Sequence, residues 1–174
     1  MNIIIYGSQY GTAEQYAKEL SKIIKFKIKS YKKVDNIDDF DTIIYIWALY
    51  AGGVLGMKKT FKGLLNSNNK KIIIATVGLA DPSDKENTDN IENGMKKQLS
   101  REVYNNAHIF HLRGGIDYSK LNLKHKTMMH LLYKKSLNLP PEKKTAEVKA
   151  MIETYNKQVS FVDYKGLESI IQCI

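Results

Sequence analysis

The sequence predicts a doubly wound α/β domain with five parallel strands covered by helices. Short runs such as Asn2–Tyr6 and Lys71–Val77 are continuously apolar and rich in β-branched residues, as strands buried on both faces are. Stretches with helical spacing alternate with these runs, and glycines follow the first, third and fourth of them. With 174 residues, 43% hydrophobic and 26% charged, the chain has the size and balance of one globular domain, expected over residues 1–174.

Taken in order, the first strand, Asn2–Tyr6, runs into the turn Gly7–Gly11 and then a helix. In that helix Ala13, Tyr16, Ala17, Leu20, Ile23 and Ile24 recur at helical spacing, with Lys18, Lys22 and Lys25 mostly off the stripe. Thr12 with Gln15 three residues on predicts a capping box. A second strand is expected near Phe26–Tyr31, followed by an acidic loop Asp35–Asp41, a third strand Thr42–Trp47, a helix over about Gly56–Asn66 and a fourth strand Lys71–Val77. After the polar loop Gly78–Asn87 come a helix carrying Ile91, Met95 and Leu99 and a fifth strand, Ala107–Leu112.

Beyond Arg113 the pattern becomes a lysine-rich helix from Leu121 to Ser136, a break at Pro140-Pro141, and a helix carrying Val148, Met151, Ile152, Tyr155 and Val159. A last helix places Leu167, Ile170, Ile171 and Ile174 on one face and is expected to be capped by Asp163. A five-stranded sheet needs one helix after its fifth strand, so residues 113–162 read as a basic helical excursion within the domain.

Lys and Arg total 27 against 18 Asp and Glu, a net charge of +9. Two segments, Lys18–Lys33 and Arg113–Lys144, carry more than all of it, and such a field favours an acidic partner, an anionic lipid surface or an anionic substrate. The single cysteine, Cys173, forms no internal disulfide, which fits a reducing, cytoplasmic setting. Met1–Tyr6 lacks the basic region of a secretory signal, and the longest uncharged run, Thr42–Met57, is shorter than the ~18 residues of a membrane span. No nucleic-acid motif is present, and no metal site is expected. His108 and His111 point to opposite faces of a strand, leaving His125 and His130 without a ligand cluster.

Ligands of open α/β sheets bind outside the carboxyl ends of the strands. There the first loop, Gly7-Ser8-Gln9-Tyr10-Gly11-Thr12-Ala13, offers a tight turn, two hydroxyls and the amides of a helix N-terminus, which together suit an anion. No Lys or Arg lies between Gly7 and Ala17, unlike a Walker A loop, so nucleoside triphosphate hydrolysis is disfavoured. A phosphoacceptor receiver needs acids at the ends of its first and third strands, where this chain has Tyr6-Gly7 and Ile46-Trp47. The loops Trp47–Gly53 and Val77–Pro82 set aromatic residues or glycines at the same edge, a setting for a flat ring. A phosphate nest beside a ring slot suggests flavin mononucleotide (FMN), with Trp47 itself expected in the core.

Residues Tyr6–Glu14 resemble the FMN phosphate loop of flavodoxins, and most closely the Gly-Ser-Gln-Thr-Gly-Thr-Ala-Glu form of diflavin reductases, with Tyr10 standing where that form has Thr. Phe40-Asp41, the Ala-x-Tyr-x-Gly loop at 48–52 and the tail Val159–Asp163 resemble the flavodoxin-domain group that includes menaquinone-dependent protoporphyrinogen dehydrogenase. The resemblance implies a flavodoxin-like three-layer fold with strand order 2-1-3-4-5 and helices on both faces. It implies FMN with its phosphate on Ser8, Gln9, Tyr10, Gly11, Thr12 and Ala13. The ring would lie between Ala48, Leu49, Tyr50, Ala51 and Gly52 on one side and Gly78, Leu79, Ala80 and Asp81 on the other. Asp81, close to the ring, would disfavour its anionic reduced form.

Three functions fit these expectations. The first is an FMN-dependent oxidoreductase passing electrons from a reduced substrate to a quinone, without a catalytic side chain because flavin N5 does the chemistry. In that reading Lys120–Lys144 attracts an anionic membrane surface, with Met128, Met129, Leu131, Leu132 and Tyr133 as apolar surface. The second is a one-electron shuttle serving an acidic redox partner protein, and the third is a scaffold that has lost the flavin.

Overall fold

The computed structural model describes residues 1–49, 56–62, 64 and 67–174. Five parallel strands, β1 (Asn2–Gly7), β2 (Lys27–Ser30), β3 (Thr42–Ala48), β4 (Lys71–Gly78) and β5 (Ala107–Arg113), form one sheet in the order β2-β1-β3-β4-β5. The switch point of strand order lies between β1 and β3, as the sequence leads one to expect. The register aligns Ile4 with Ile44 and Ile44 with Ile73.

The isoleucine runs follow from burial on both faces. Ile3, Ile5, Tyr45, Trp47, Ile72 and Ile74 meet α2 (Met57–Phe61), α3 (Lys85–Lys96) and α4 (Arg101–Asn106) through Met57, Phe61, Met95 and Val103, with Leu99 from the connection between α3 and α4. Ile4, Ile44, Ile46, Ile73 and Ala75 face the other way, onto α1 (Thr12–Ile24) and the C-terminal helix Leu167–Gln172. Side chains alternate along each strand, so a continuous apolar run fills two cores at once.

Several local expectations are corrected. Gly11, in the left-handed region at φ 93°, is the N-cap of α1 and no side chain caps it, so Thr12 is the first helical residue and the Thr12–Gln15 capping box does not form. The sequence missed α4, whose six residues are too few to show a period; Ser100 caps it by accepting the Val103 N–H at 3.3 Å. Asp163 caps a single turn, Tyr164–Gly166, that runs directly into the last helix.

The largest difference lies after β5. Two short strands, β6 (Gly115–Asp117) and β7 (Gln158–Ser160), pair antiparallel and close the base of the excursion. Between them lie α5 (Leu123–Leu137) and α6 (Ala146–Thr154). Val159, expected on a helix, pairs with Ile116 instead, because Asn156 turns left-handed at φ 57° and ends the helical path. A small third core of Ile116, Tyr118 and Leu121, joined by Tyr10, Leu79, Met129, Tyr155 and Val159, holds the excursion against the sheet edge. The final helix, α7, is Leu167–Gln172. Among the described residues no helix is long and apolar enough to cross a membrane.

Candidate functional site

The turn after β1 is shaped by two glycines. A Cβ on Gly7 would lie 1.5 Å from Trp47 Cζ3, so only glycine lets the indole cross beneath the turn. Trp47 is a core residue, 2% exposed, stacked on Tyr45 with centroids 5.3 Å apart. Gly11 supplies the positive φ, and its N–H donates to Ser8 Oγ at 2.9 Å. The first-turn amides of α1, on Thr12, Ala13 and Glu14, have no acceptor within the helix, which leaves them aimed outward as anion donors. The Thr12 hydroxyl donates weakly to the Gly115 carbonyl at 3.4 Å.

The end of β4 is pinned from β5. The Gly78 carbonyl accepts the Gly114 N–H at 2.7 Å, and the Leu79 carbonyl accepts Arg113 Nε at 3.2 Å while the guanidinium lies 3.8 Å over the Phe161 ring. Arg113 counted in the sequence only as charge; its work is to fix this loop. Asp81 is exposed, and its carboxylate accepts both the N–H and the hydroxyl of Ser83 at 2.8 Å. Those bonds hold its carboxyl below the usual carboxylate range and turn it onto its own loop. The Leu49 N–H donates to the Val77 carbonyl at 2.8 Å, tying the two neighbouring strand ends together.

These strand ends form one wall of a cavity of about 430 Å³. Of the residues nominated from sequence, Ser8, Gln9, Tyr10, Thr12, Ala48, Leu49, Gly78 and Leu79 line it. Gly11 and Asp81 do not, and Ala13 and Ala80 are buried in the structure, 0% and 4% exposed. Tyr50, Ala51 and Gly52 lie outside the described residues.

The opposite wall comes from residues that the sequence did not single out for this role. Asn87, Ile91 and Gly94 of α3, Met129 and Leu132 of α5, and Glu147, Val148 and Met151 of α6 face the same space. Tyr10 meets the His125 ring edge-on at 5.6 Å, which brings α5 down over the turn after β1. Burial pushes the Glu147 carboxyl above the usual carboxylate range, opposed in part by the Ala80 backbone N–H. From sequence, Glu147 reads as an ordinary acid in the first turn of a helix capped by Thr145, so nothing in its local context marks it.

The excursion is not a helix laid on the sheet. Of the five residues expected as apolar surface, Met129 and Leu132 line the cavity and Tyr133 stacks on Tyr155 at 3.9 Å, while Leu131 is 62% exposed. Leu123 and Leu137 are exposed too, beside Lys124, Lys126, Lys134 and Lys135. The two strand histidines separate as expected: His108 is exposed, whereas His111 bonds Thr76 Oγ1 through Nδ1 at 2.7 Å and lies 3.6 Å from Glu92 Oε1. No group of three or more His, Cys, Asp or Glu among the described residues could hold a metal ion.

A family model described as a flavodoxin domain matches residues 3–139. No match is found among curated proteins. Similar solved structures include a candidate flavoprotein from Bacteroides uniformis, 13% identical over 65% of this chain and 90% of that one, with a TM-score of 0.47. A flavoprotein in complex with FMN from Lactobacillus acidophilus is 14% identical over 64% of this chain and 91% of that one, with a TM-score of 0.44. A cysteine-to-alanine variant of flavodoxin from Pseudomonas aeruginosa is 16% identical over 75% of this chain and 93% of that one, with a TM-score of 0.39.

Proposed function

Because this chain belongs to the flavodoxin-domain family, we propose that it is an FMN-dependent oxidoreductase that passes electrons from a reduced small-molecule substrate to a quinone-type acceptor. The observation that carries this reading is the second wall of the cavity. A one-electron shuttle works by presenting its ring edge to a partner protein, and walls of α5 and α6 over that edge would obstruct it. A mostly apolar cleft of about 430 Å³ suits a small molecule instead. This reading follows the resemblance of Phe40-Asp41, the loop at 48–52 and the tail Val159–Asp163 to the group that includes protoporphyrinogen dehydrogenases.

The residues present fit FMN. Orphan amides of Thr12, Ala13 and Glu14, with the hydroxyls of Ser8 and Thr12, would hold its phosphate without a cation. Leu49 and Leu79 bring apolar surface to the ring slot, and Asp81, ionised and bonded to Ser83 on its own loop, does not line it. When bound, the flavin supplies reversible electron and hydride chemistry. The protein's part is to exclude water, with Met129, Leu132, Val148 and Met151, and to hold the ring against the end of β4.

Titration of the purified protein with FMN tests the reading, followed by quenching of flavin fluorescence. Saturable binding is expected, and Ser8→Ala with Thr12→Ala should weaken it about tenfold or more, since hydrogen bonds to a charged phosphate are worth about 1.5–3 kcal/mol each. Absence of binding would overturn it. Loaded protein whose flavin has first been reduced with dithionite should then reduce menaquinone analogues faster than it reduces acidic one-electron acceptor proteins; the reverse ranking favours the shuttle.

The exposed Leu123 and Leu131 beside Lys124, Lys126, Lys134 and Lys135 support docking of α5 on an anionic membrane, where a quinone resides. Co-sedimentation with phosphatidylglycerol vesicles, and its loss when the four lysines become glutamine, is the expected outcome. Equal binding by that variant counts against it.

A further inference from the structure

Glu147 belongs to none of the sequence motifs, yet its carboxyl sits where the cavity meets the end of β4. It lies one residue into α6, past the Thr145 cap, and lines the cavity beside Val148 and Met151. A Cβ built on Gly78 would lie 3.6 Å from Glu147 Oε2, an ordinary contact distance, so the carboxyl packs directly against the strand end. The Ala80 N–H is turned toward the same carboxyl. Oε2 itself is shut off from solvent and has no hydrogen-bond partner among the described residues.

A buried polar atom without a partner costs free energy, and in a cavity the natural partner is a ligand. Burial drives this carboxyl toward its protonated form. A protonated carboxyl presents one O–H donor beside one carbonyl acceptor. That pair is complementary to a lactam or imide edge, where an N–H sits beside a C=O. Apolar walls from Leu49, Leu79 and Met151 add the flat, dry surroundings in which such a pair is strong. Asp81, the acid expected at this loop, is exposed and bonded to Ser83, so it does not compete for the role.

We propose that Glu147 determines specificity by pairing its carboxyl with the imide edge of a flat heterocycle bound in the cavity. The ring N–H donates to one carboxyl oxygen, and a ring carbonyl accepts from the other. The proposal rests on the FMN reading, in which the heterocycle is the isoalloxazine ring, whose pyrimidine half carries such an edge.

The test compares the dissociation constants of FMN and of an FMN analogue methylated at the imide nitrogen. Each is measured by fluorescence quenching on the wild-type chain, Glu147→Ala and Glu147→Gln. Wild type should prefer FMN by about tenfold or more, the size expected for one lost buried hydrogen bond. Glu147→Gln should keep the preference, because a carboxamide offers the same donor and acceptor. Glu147→Ala should lose it, with the two constants agreeing within about twofold to threefold.

Ser8→Ala serves as the control and should weaken both flavins alike, since the phosphate is common to them. Should the alanine variant fail to unfold cooperatively, Glu147→Met, closer in volume, is read the same way. A preference retained by Glu147→Ala or Glu147→Met overturns the proposal and leaves FMN binding intact. Failure of the wild-type chain to bind either flavin overturns the flavin reading and the proposal together.

Discussion

The sheet and the excursion are built by different rules. In the sheet, Ile3, Ile4, Ile5, Ile43, Ile44, Ile72 and Ile73 are all 0% exposed, and two large cores grip them from opposite faces. In the excursion, the only buried hydrophobic side chains among the described residues are Ile116, Tyr118 and Leu121, and α5 carries leucines that are 82%, 62% and 45% exposed. The first region is organised to be stable by itself. The second contributes little burial and supplies the far wall of the cavity, so its sequence answers to what it covers more than to its own core.

The sharpest way to break that comparison is a matched pair of truncations. Ile44→Ala, between β1 and β4 in the middle of the sheet, should cost about 3–4 kcal/mol, the usual range for emptying a packed site. Met129→Ala, half-buried at the edge of the third core, should cost about 1 kcal/mol and open the cavity. Denaturant unfolding with a shared slope measures both. Equal costs would mean that the excursion is as much a part of the core as β3.

The second way is excision. Residues 118–157 leave from Asp117 and return to Gln158, which are paired partners in the β6–β7 ladder, and the Tyr118 N–H meets the Lys157 carbonyl at 3.3 Å across its base. An Asn-Gly turn joining Asp117 to Gln158 therefore completes a two-residue hairpin. The shortened chain should still unfold cooperatively, because neither large core loses a member. Its affinity for FMN should fall about a hundredfold, the equivalent of about 2.7 kcal/mol, as one wall of the cavity is gone. Unchanged affinity would show that α5 and α6 do not border the flavin.

The same contrast explains what could be read in advance. A parallel strand buried on both faces writes itself as an unbroken run such as Ile72–Ala75, so β1, β3 and β4 were plain from pattern, while the strand order came with the resemblance carried by the turn after β1. The half of the site on the turn after β1 was accessible because Gly7, Ser8 and Gly11 are local: a close crossing by Trp47, a hydroxyl and a positive φ lie within five residues of one another. The other half was not. Glu147 approaches Gly78 and Ala80 across 69 and 67 positions of sequence, and no periodicity encodes an approach between an inserted helix and a strand end. Short elements also escaped: α4 has six residues and β6 and β7 three each, and Val159 sat four places after Tyr155 in apparent helical phase until Asn156 broke it.

The smallest expected effect sets the two regions against each other in pH. His111, held in the sheet by Thr76 and Glu92, has its pKa lowered from 6.5 chiefly by burial, so the folded chain resists the proton that the unfolded chain accepts. The unfolded state then binds more protons as pH falls below 6.5, and stability is lost in that direction. Glu147 runs the opposite way. Burial raises its carboxyl above 4.5, the folded chain keeps a proton that the unfolded chain releases, and stability is lost as pH rises from 4.5 through the folded value. Between pH 4.5 and 6.5 the two slopes oppose, each bounded by about 1.4 kcal/mol per pH unit. Glu147→Gln should thus gain stability relative to wild type as pH rises across that interval. His111→Asn should gain relative to wild type as pH falls across it, because the asparagine takes up no proton in either state. Urea unfolding midpoints at three pH values read both, and carboxylates common to all three chains cancel in the differences. If the Glu147→Gln difference does not change with pH, the carboxyl is ionised in the folded cavity. In that event the region of the molecule that the excursion encloses is wet, and its wall admits water as freely as the surface of α5.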